Sequence, residues 1–133
     1  MTQNKERVRY IGIRFISSTP ISEKDAWFIV SNEIKRLYGT IGAAEVGLFL
    51  SYYDPETQGG VFRSSHLMVN RVRSALCFLH TRRNEPLYVF AENTTGSLKK
   101  AKLSLHESRN ITRYQQLHSL FTTKWNQHTN DDQ

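Results

Sequence analysis

Residues 94–102, TTGSLKKAK, set three hydroxyls, a glycine and two adjacent lysines directly behind an apolar run, PLYVFAEN. The run reads as a strand and the stretch after it as the first turns of a helix. A helix start offers unpaired N–H groups and the positive end of the helix dipole. Gly96 lets an anion come close to the backbone. Thr94, Thr95 and Ser97 can cap the helix or donate hydroxyl hydrogen bonds, and Lys99 and Lys100 add charge within one turn. This chemistry suits a phosphate oxygen. An ordinary capped helix with exposed lysines fits the same letters. Neither GxxxxGK[ST] nor GxGxxG occurs, so a nucleotide-hydrolysing loop and a dinucleotide fold are unsupported.

A second basic block is RSSHLMVNRVRSALCFLHTRR, residues 63–83, with Arg63, Arg71, Arg73, Arg82 and Arg83 and no acid. Residues 94–106 likewise hold Lys99, Lys100 and Lys102 and no acid, whereas residues 21–60 carry six acids against three bases. The total is +6. Two acid-free basic blocks in a small chain point to a polyanionic partner. Long arginines can instead merely cover apolar surface.

Other chemistry finds little support. His66, His80, His106, His118 and His128 show no metal-ligand spacing, and one cysteine, Cys77, builds neither a thiolate site nor an internal disulfide. On an apolar helix face Cys77 is expected to be buried and inert. Asp54 and Glu56 are expected to shape a turn rather than to act as an acid–base pair. No apolar run approaches the ~20 residues of a membrane span. The opening MTQNKERVRY lacks an apolar export segment, and the cysteine count suits a reducing compartment.

The elements that must position these residues follow from periodicity. Alternation predicts a strand over 8–17. Ser22 reads as an N-cap, with Glu23 and Asp25 favouring the helix start, and Trp27, Val30, Ile34 and Leu37 recur at helical spacing over 23–38. Gly39 is the expected stop. A strand over 44–53 precedes the turn DPETQGG, in which Gly59 and Gly60 permit positive φ. A short strand VFRS follows, then a helix over 66–82 with Met68, Val72, Ala75 and Leu79 on one face, a strand LYVFAE and a helix over 97–105. A last amphipathic helix would use Ile111, Tyr114, Leu117, Phe121 and Trp125, ahead of a frayed end. The domain division is 1–106 and 107–133.

The order β-α-β-β-α-β predicts an α+β, ferredoxin-like sandwich with a four-stranded antiparallel sheet and extra C-terminal helices. One strand parity, Ile11, Ile13, Phe15, Leu48, Leu50, Leu87 and Val89, would face the first two helices. The other carries Tyr10, Arg14, Phe49, Phe62, Tyr88 and Phe90. A face that apolar is expected to be covered by the C-terminal helix or docked against a partner. Base stacking is disfavoured because the RNA-recognition octapeptide is missing.

The stretch YYDPETQGGVFRSSHLMVNRVRSALCFL resembles the strand–turn–strand–helix of the ribonuclease P protein component 2 family, shared by archaea and eukaryotes. ENTTGSLKKAK resembles that family's Ser-Gly-Thr-Ile-basic-Lys-Ala stretch, with Thr95 in place of a serine and Gly96-Ser97-Leu98 in place of Gly-Thr-Ile. VRYIGIRF resembles its opening strand. The likeness runs over about residues 7–105.

This resemblance implies a ferredoxin-like, RNA-binding subunit of ribonuclease P, which removes the 5′ leader of precursor tRNA. Cleavage there belongs to the RNA subunit with its Mg²⁺, so the chain would be part of an endonuclease, a hydrolase complex, without catalytic residues or a cofactor of its own. The implied RNA-contact residues are Arg63, Arg71, Arg73, Thr95, Gly96, Ser97, Lys99 and Lys100. The implied partners are ribonuclease P RNA and ribonuclease P protein component 3, a TIM-barrel-like subunit, with two such pairs joining as a heterotetramer. A cytoplasmic rather than nuclear setting is expected, with no membrane. Two other readings stay open: a small-molecule regulatory domain of the same plan, and a protein-interaction module with a solubilising basic face.

Overall fold

The structure is a computed structural model that describes residues 7–106. The tail helix and the 107–133 division lie outside the described residues. The elements are β1 Val8–Ser17, α1 Glu23–Val46, β2 Phe49–Asp54, β3 Gly59–Ser65, a 3-10 turn His66–Met68 leading into α2 Val69–Cys77, β4 Thr81–Arg82, β5 Glu85–Thr95 and α3 Leu98–His106. The class is α+β, with an antiparallel sheet. It has five strands rather than the four expected, in the order β2-β3-β1-β5-β4.

The fifth strand replaces the end of the expected second helix. That helix stops at Cys77, and Thr81 and Arg82 pair instead with Pro86 and Glu85. Arg83 and Asn84 form the two-residue turn with φ of 51° and 66°. Positive φ at both central positions matches the hand of a tight hairpin. Arg82 then bonds Asp25 at 2.8 Å, away from α2's solvent face.

Ser22 caps α1 as expected, its Oγ accepting from the Asp25 N–H at 3.1 Å. Gly39 does interrupt the helix, at φ 74° and ψ 177°, a region that only glycine enters without strain. The chain then resumes helical geometry through Val46. The strand expected from residue 44 therefore starts only at Phe49, after Gly47 closes the helix by donating to the Ala44 carbonyl.

In the turn after β2, Asp54 works as expected, Oδ1 accepting from the Glu56 N–H at 3.0 Å and Oδ2 from the Thr57 hydroxyl at 3.1 Å. The positive φ falls on Gln58, however, and Gly59 and Gly60 belong to β3. Glycine is required at 59 for space. A β-carbon there would lie 2.7 Å from Nη1 and 2.9 Å from Cζ of Arg14.

α1 and α2 cover one face of the sheet. Ile11, Ile13, Phe15, Val30, Ile34, Val72, Ala75, Leu76 and Leu87 form the main core there. Phe62 lies in that core, not on the opposite face as the strand pattern suggests, because register places it beside Ile11. Its neighbour Val61 takes the other face. There α3 lies across the sheet, packing Ala101 and Leu105 on Val61, with Tyr10, Tyr52 and Leu98 around them. α3 thus covers part of the second face.

Arg14 is buried under α3, 1% exposed. Its Nε donates to Glu92 Oε1 at 2.8 Å, Nη1 to the Thr57 carbonyl at 3.1 Å and Nη2 to the Leu105 carbonyl at 2.9 Å. A bulge in β5 makes this possible. Gly12 opposes Asn93 and Ile13 opposes Ala91, so Glu92 is an extra residue in the ladder.

Candidate nucleic-acid interface

Both basic helices leave the sheet from the same end. β1 begins there, paired through Val8 with Ser65 at the end of β3 and through Tyr10 with Thr95 at the end of β5. The His66 N–H donates to the Arg7 carbonyl at 2.9 Å, which ties the entry into α2 to the first described residue. The register Phe49–Arg63–Tyr10–Thr95 runs straight across β2, β3, β1 and β5. Arg63 and Thr95 are two strands apart, about 10 Å.

At the start of α3 the hydroxyls are engaged by the fold itself. Thr95 Oγ1 accepts from the Ser97 N–H at 2.8 Å and donates to the Ser97 carbonyl at 2.9 Å. Ser97 Oγ accepts from the Lys100 N–H at 3.4 Å, capping the helix. These bonds fix the turn and leave Lys99 and Lys100 exposed on its outside. Gly96 is exposed, and Nη1 of Arg9 lies 3.4 Å from where its β-carbon would be.

Arg73 reaches this junction from α2, with Nη1 3.4 Å from the Thr94 hydroxyl. Arg63 is exposed on β3 with its guanidinium 5.0 Å above the centre of the Phe49 ring. Arg71 does not join them. It turns to α1, where Nη1 bonds Glu45 at 2.9 Å and the guanidinium lies 5.4 Å from the Tyr38 ring.

Two cations outside the expected RNA-contact set, Arg9 and Lys102, belong near the site. Arg9 becomes visible only once β1 and β5 are paired, because its partner Gly96 is 87 residues away in the chain. Lys102 stands 4.9 Å over the Tyr52 ring, whose hydroxyl is 2.8 Å from His106 Nε2. Burial and the nearby Asp54 raise the Tyr52 pKa, so this hydroxyl stays protonated. Among the described residues the ion pairs are Arg14–Glu92, Arg36–Glu33, Arg71–Glu45 and Arg82–Asp25. None involves Arg9, Arg63, Arg73, Lys99 or Lys100, so this end of the sheet carries positive charge without a paired acid among the described residues.

The expected docking residues separate. Tyr10 is half-buried beside Leu98, Phe49 is 53% exposed at the β2 edge, and Phe62 is in the core. Tyr88 and Phe90 stack on β5 with centroids 6.4 Å apart and ring planes 15° from parallel. Cys77 is exposed rather than buried, because α2 presents Val72, Ala75 and Leu76 to the core and ends with Cys77 outward. Its thiol donates to the Arg73 carbonyl at 3.4 Å.

Known proteins resemble this chain in sequence or in fold. Ribonuclease P protein component 2 of Saccharolobus solfataricus is 28% identical over 105 residues, covering 77% of this chain and 73% of that protein. The protein of the same name from Methanocaldococcus jannaschii is 22% identical over 99 residues, covering 74% and 72%. A chain in the cryo-EM structure of yeast ribonuclease MRP superposes with a TM-score of 0.57 at 15% identity, covering 87% of this chain and 96% of its own length, a likeness of fold. The sequence profile of the Rpp14/Pop5 family matches residues 9–106, which contain Arg9, Arg63, Arg73, Lys99 and Lys100. On this match the chain belongs to the Rpp14/Pop5 family of ribonuclease P proteins.

Proposed function

We propose that this chain is a non-catalytic, RNA-binding subunit of ribonuclease P, supporting a catalytic RNA that removes the 5′ leader of precursor tRNA. One observation carries the reading. Two strand-to-helix junctions from distant parts of the sequence bring Arg63, Arg73, Lys99 and Lys100 to one end of the sheet, with no paired acid among the described residues. Exposed cations on a rigid sheet end hold phosphates in fixed geometry and release counterions. They thereby favour the compact RNA over extended forms, while the phosphodiester bond is broken by the RNA. In this reading Arg63, Arg73, Lys99 and Lys100 contact phosphates, and Arg9 joins them. Gly96 leaves room beside the backbone for the same ligand, and Thr95 and Ser97 hold the turn. Arg71 contributes field rather than contact.

The strand order and two crossover helices support a ferredoxin-like plan with β4 added at one edge. The setting we propose is cytoplasmic, with ribonuclease P RNA as one partner and protein component 3 as another, two pairs of this chain with component 3 joining as a heterotetramer. Reconstitution tests the function. Adding this chain to its RNA and partner proteins should increase precursor-tRNA cleavage at low Mg²⁺. Equal cleavage with the chain omitted would refute the role.

A further inference from the structure

The row that crosses the sheet ends, on the β2 side, at a hollow of about 510 Å³ lined by Ser22, Glu23, Lys24, Trp27, Phe49 and Leu50. Its size is within the range of small-ligand sites. Trp27 forms one wall, half-buried and packed against the main core from the first turns of α1, which fixes its indole. Phe49, from the edge strand, forms another wall while carrying the Arg63 guanidinium over its ring. Leu50 contributes to the lining, and its own packing on the core holds β2 in place. The polar groups sit on one side. Ser22 and Glu23 open the helix, and Lys24 follows with its ammonium 5.9 Å from the Phe28 ring.

From this geometry we infer that the Trp27–Phe49 hollow takes one unpaired nucleobase of the bound RNA. This deepens the RNA-binding reading and rests on it. Two aromatic walls suit stacking with any base, and the guanidinium over the Phe49 ring suits the phosphate beside that base. Glu23 can accept from an exocyclic amino group. The hollow continues the basic row, since Phe49 and Thr95 are three strands apart, about 15 Å. A few splayed nucleotides cover that span. A single strand or loop is therefore preferred over a duplex, whose bases are not presented outward.

The test uses the full chain with Trp125→Phe, so that Trp27 is the remaining tryptophan of the two. Its fluorescence is titrated with a six-nucleotide oligouridine, a six-nucleotide oligoadenosine and a blunt RNA duplex. The expected result is strong quenching by the single strands and little by the duplex. Phe49→Leu, at an exposed position, should weaken single-strand binding about tenfold or more while leaving the slope against salt unchanged. If RNA binds with steep salt dependence while Trp27 emission and the Phe49→Leu affinity are unaltered, the pocket is refuted and the RNA reading stands. If RNA does not bind at all, both fall together. Quenching by a purified partner protein but not by RNA would assign the hollow to protein docking and overturn the inference.

Discussion

Arg14 on β1 donates from Nη2 to the carbonyl oxygen of Leu105 at 2.9 Å, tying the last turn of α3 to the middle of the sheet. The helix that carries Lys99, Lys100 and Lys102 is therefore anchored at its far end by a buried cation. The same cation holds Glu92 on one side and the β2–β3 turn on the other.

Arg14→Met leaves the Glu92 carboxylate, 4% exposed, without its partner. Removing one member of a buried pair costs about 3–5 kcal/mol, whereas replacing both by apolar groups is often neutral. Urea denaturation should show a loss of that size in Arg14→Met and a smaller one in Arg14→Met with Glu92→Leu. Equal losses in the single and double variants would mean that the pair is not coupled.

Gly59→Ala drives a methyl group into the Arg14 guanidinium. A strain of about 1–3 kcal/mol is expected for such overpacking. The same substitution in an Arg14→Met background should cost clearly less, because the obstructing guanidinium is gone. A thermodynamic cycle of the four proteins measures this coupling, and a penalty independent of residue 14 would place the strain elsewhere.

Lys99→Ala with Lys100→Ala removes two exposed cations that make no ion pair among the described residues. RNA affinity should fall, and the log–log slope against salt should flatten by between about 1 and 2 units, with the melting temperature unchanged. Arg71→Ala serves as the contrast. Its surface pair with Glu45 is worth about 0–1 kcal/mol, and its loss should leave the salt slope nearly intact. Filter binding at four salt concentrations separates the two, and an equal effect from Arg71 would displace the site from the sheet end.

Asp25 joins the start of α1 to the β4–β5 hairpin through Arg82. Burial pushes its carboxyl up, but the Ser22 hydrogen bonds and the Arg82 and Arg83 charges outweigh this and hold it below the ordinary carboxylate value. A folded-state pKa that is lowered stabilises the fold above the unfolded value of about 3.9. That contribution should vanish as pH falls through the acidic range below about 4. Asp25→Asn should flatten the acid limb of the melting temperature between about pH 5 and pH 2. An unchanged limb would remove Asp25 from the acid response.

The sequence made the outline of this fold readable where local rules decide it. β1 alternates cleanly, Ser22 and Ser97 are strong cap residues, and Asp54 sits where a turn needs its carboxylate. What failed depends on pairing between distant segments. The face taken by Phe62 is set by its register with Ile11, which alternation within VFRS does not give. The β4–β5 hairpin turns on Arg83 and Asn84, which have no glycine to announce positive φ. At the site, the lysine pair and Arg63 were legible as charge without neighbouring acids. That Arg73 joins them while Arg71 turns away follows from how α2 sits between α1 and β5.

The extra residue at position 92 has an evolutionary side. Because Asn93 already opposes Gly12 and Ala91 already opposes Ile13, excising Glu92 would mend the ladder without exchanging inside and outside anywhere along β5. Shortening the gene by one codon here is thus a smaller topological insult than inserting one. Deleting Glu92 also removes the carboxylate that holds Arg14 Nε, so an apolar residue at position 14 is the change that would suit the shortened strand.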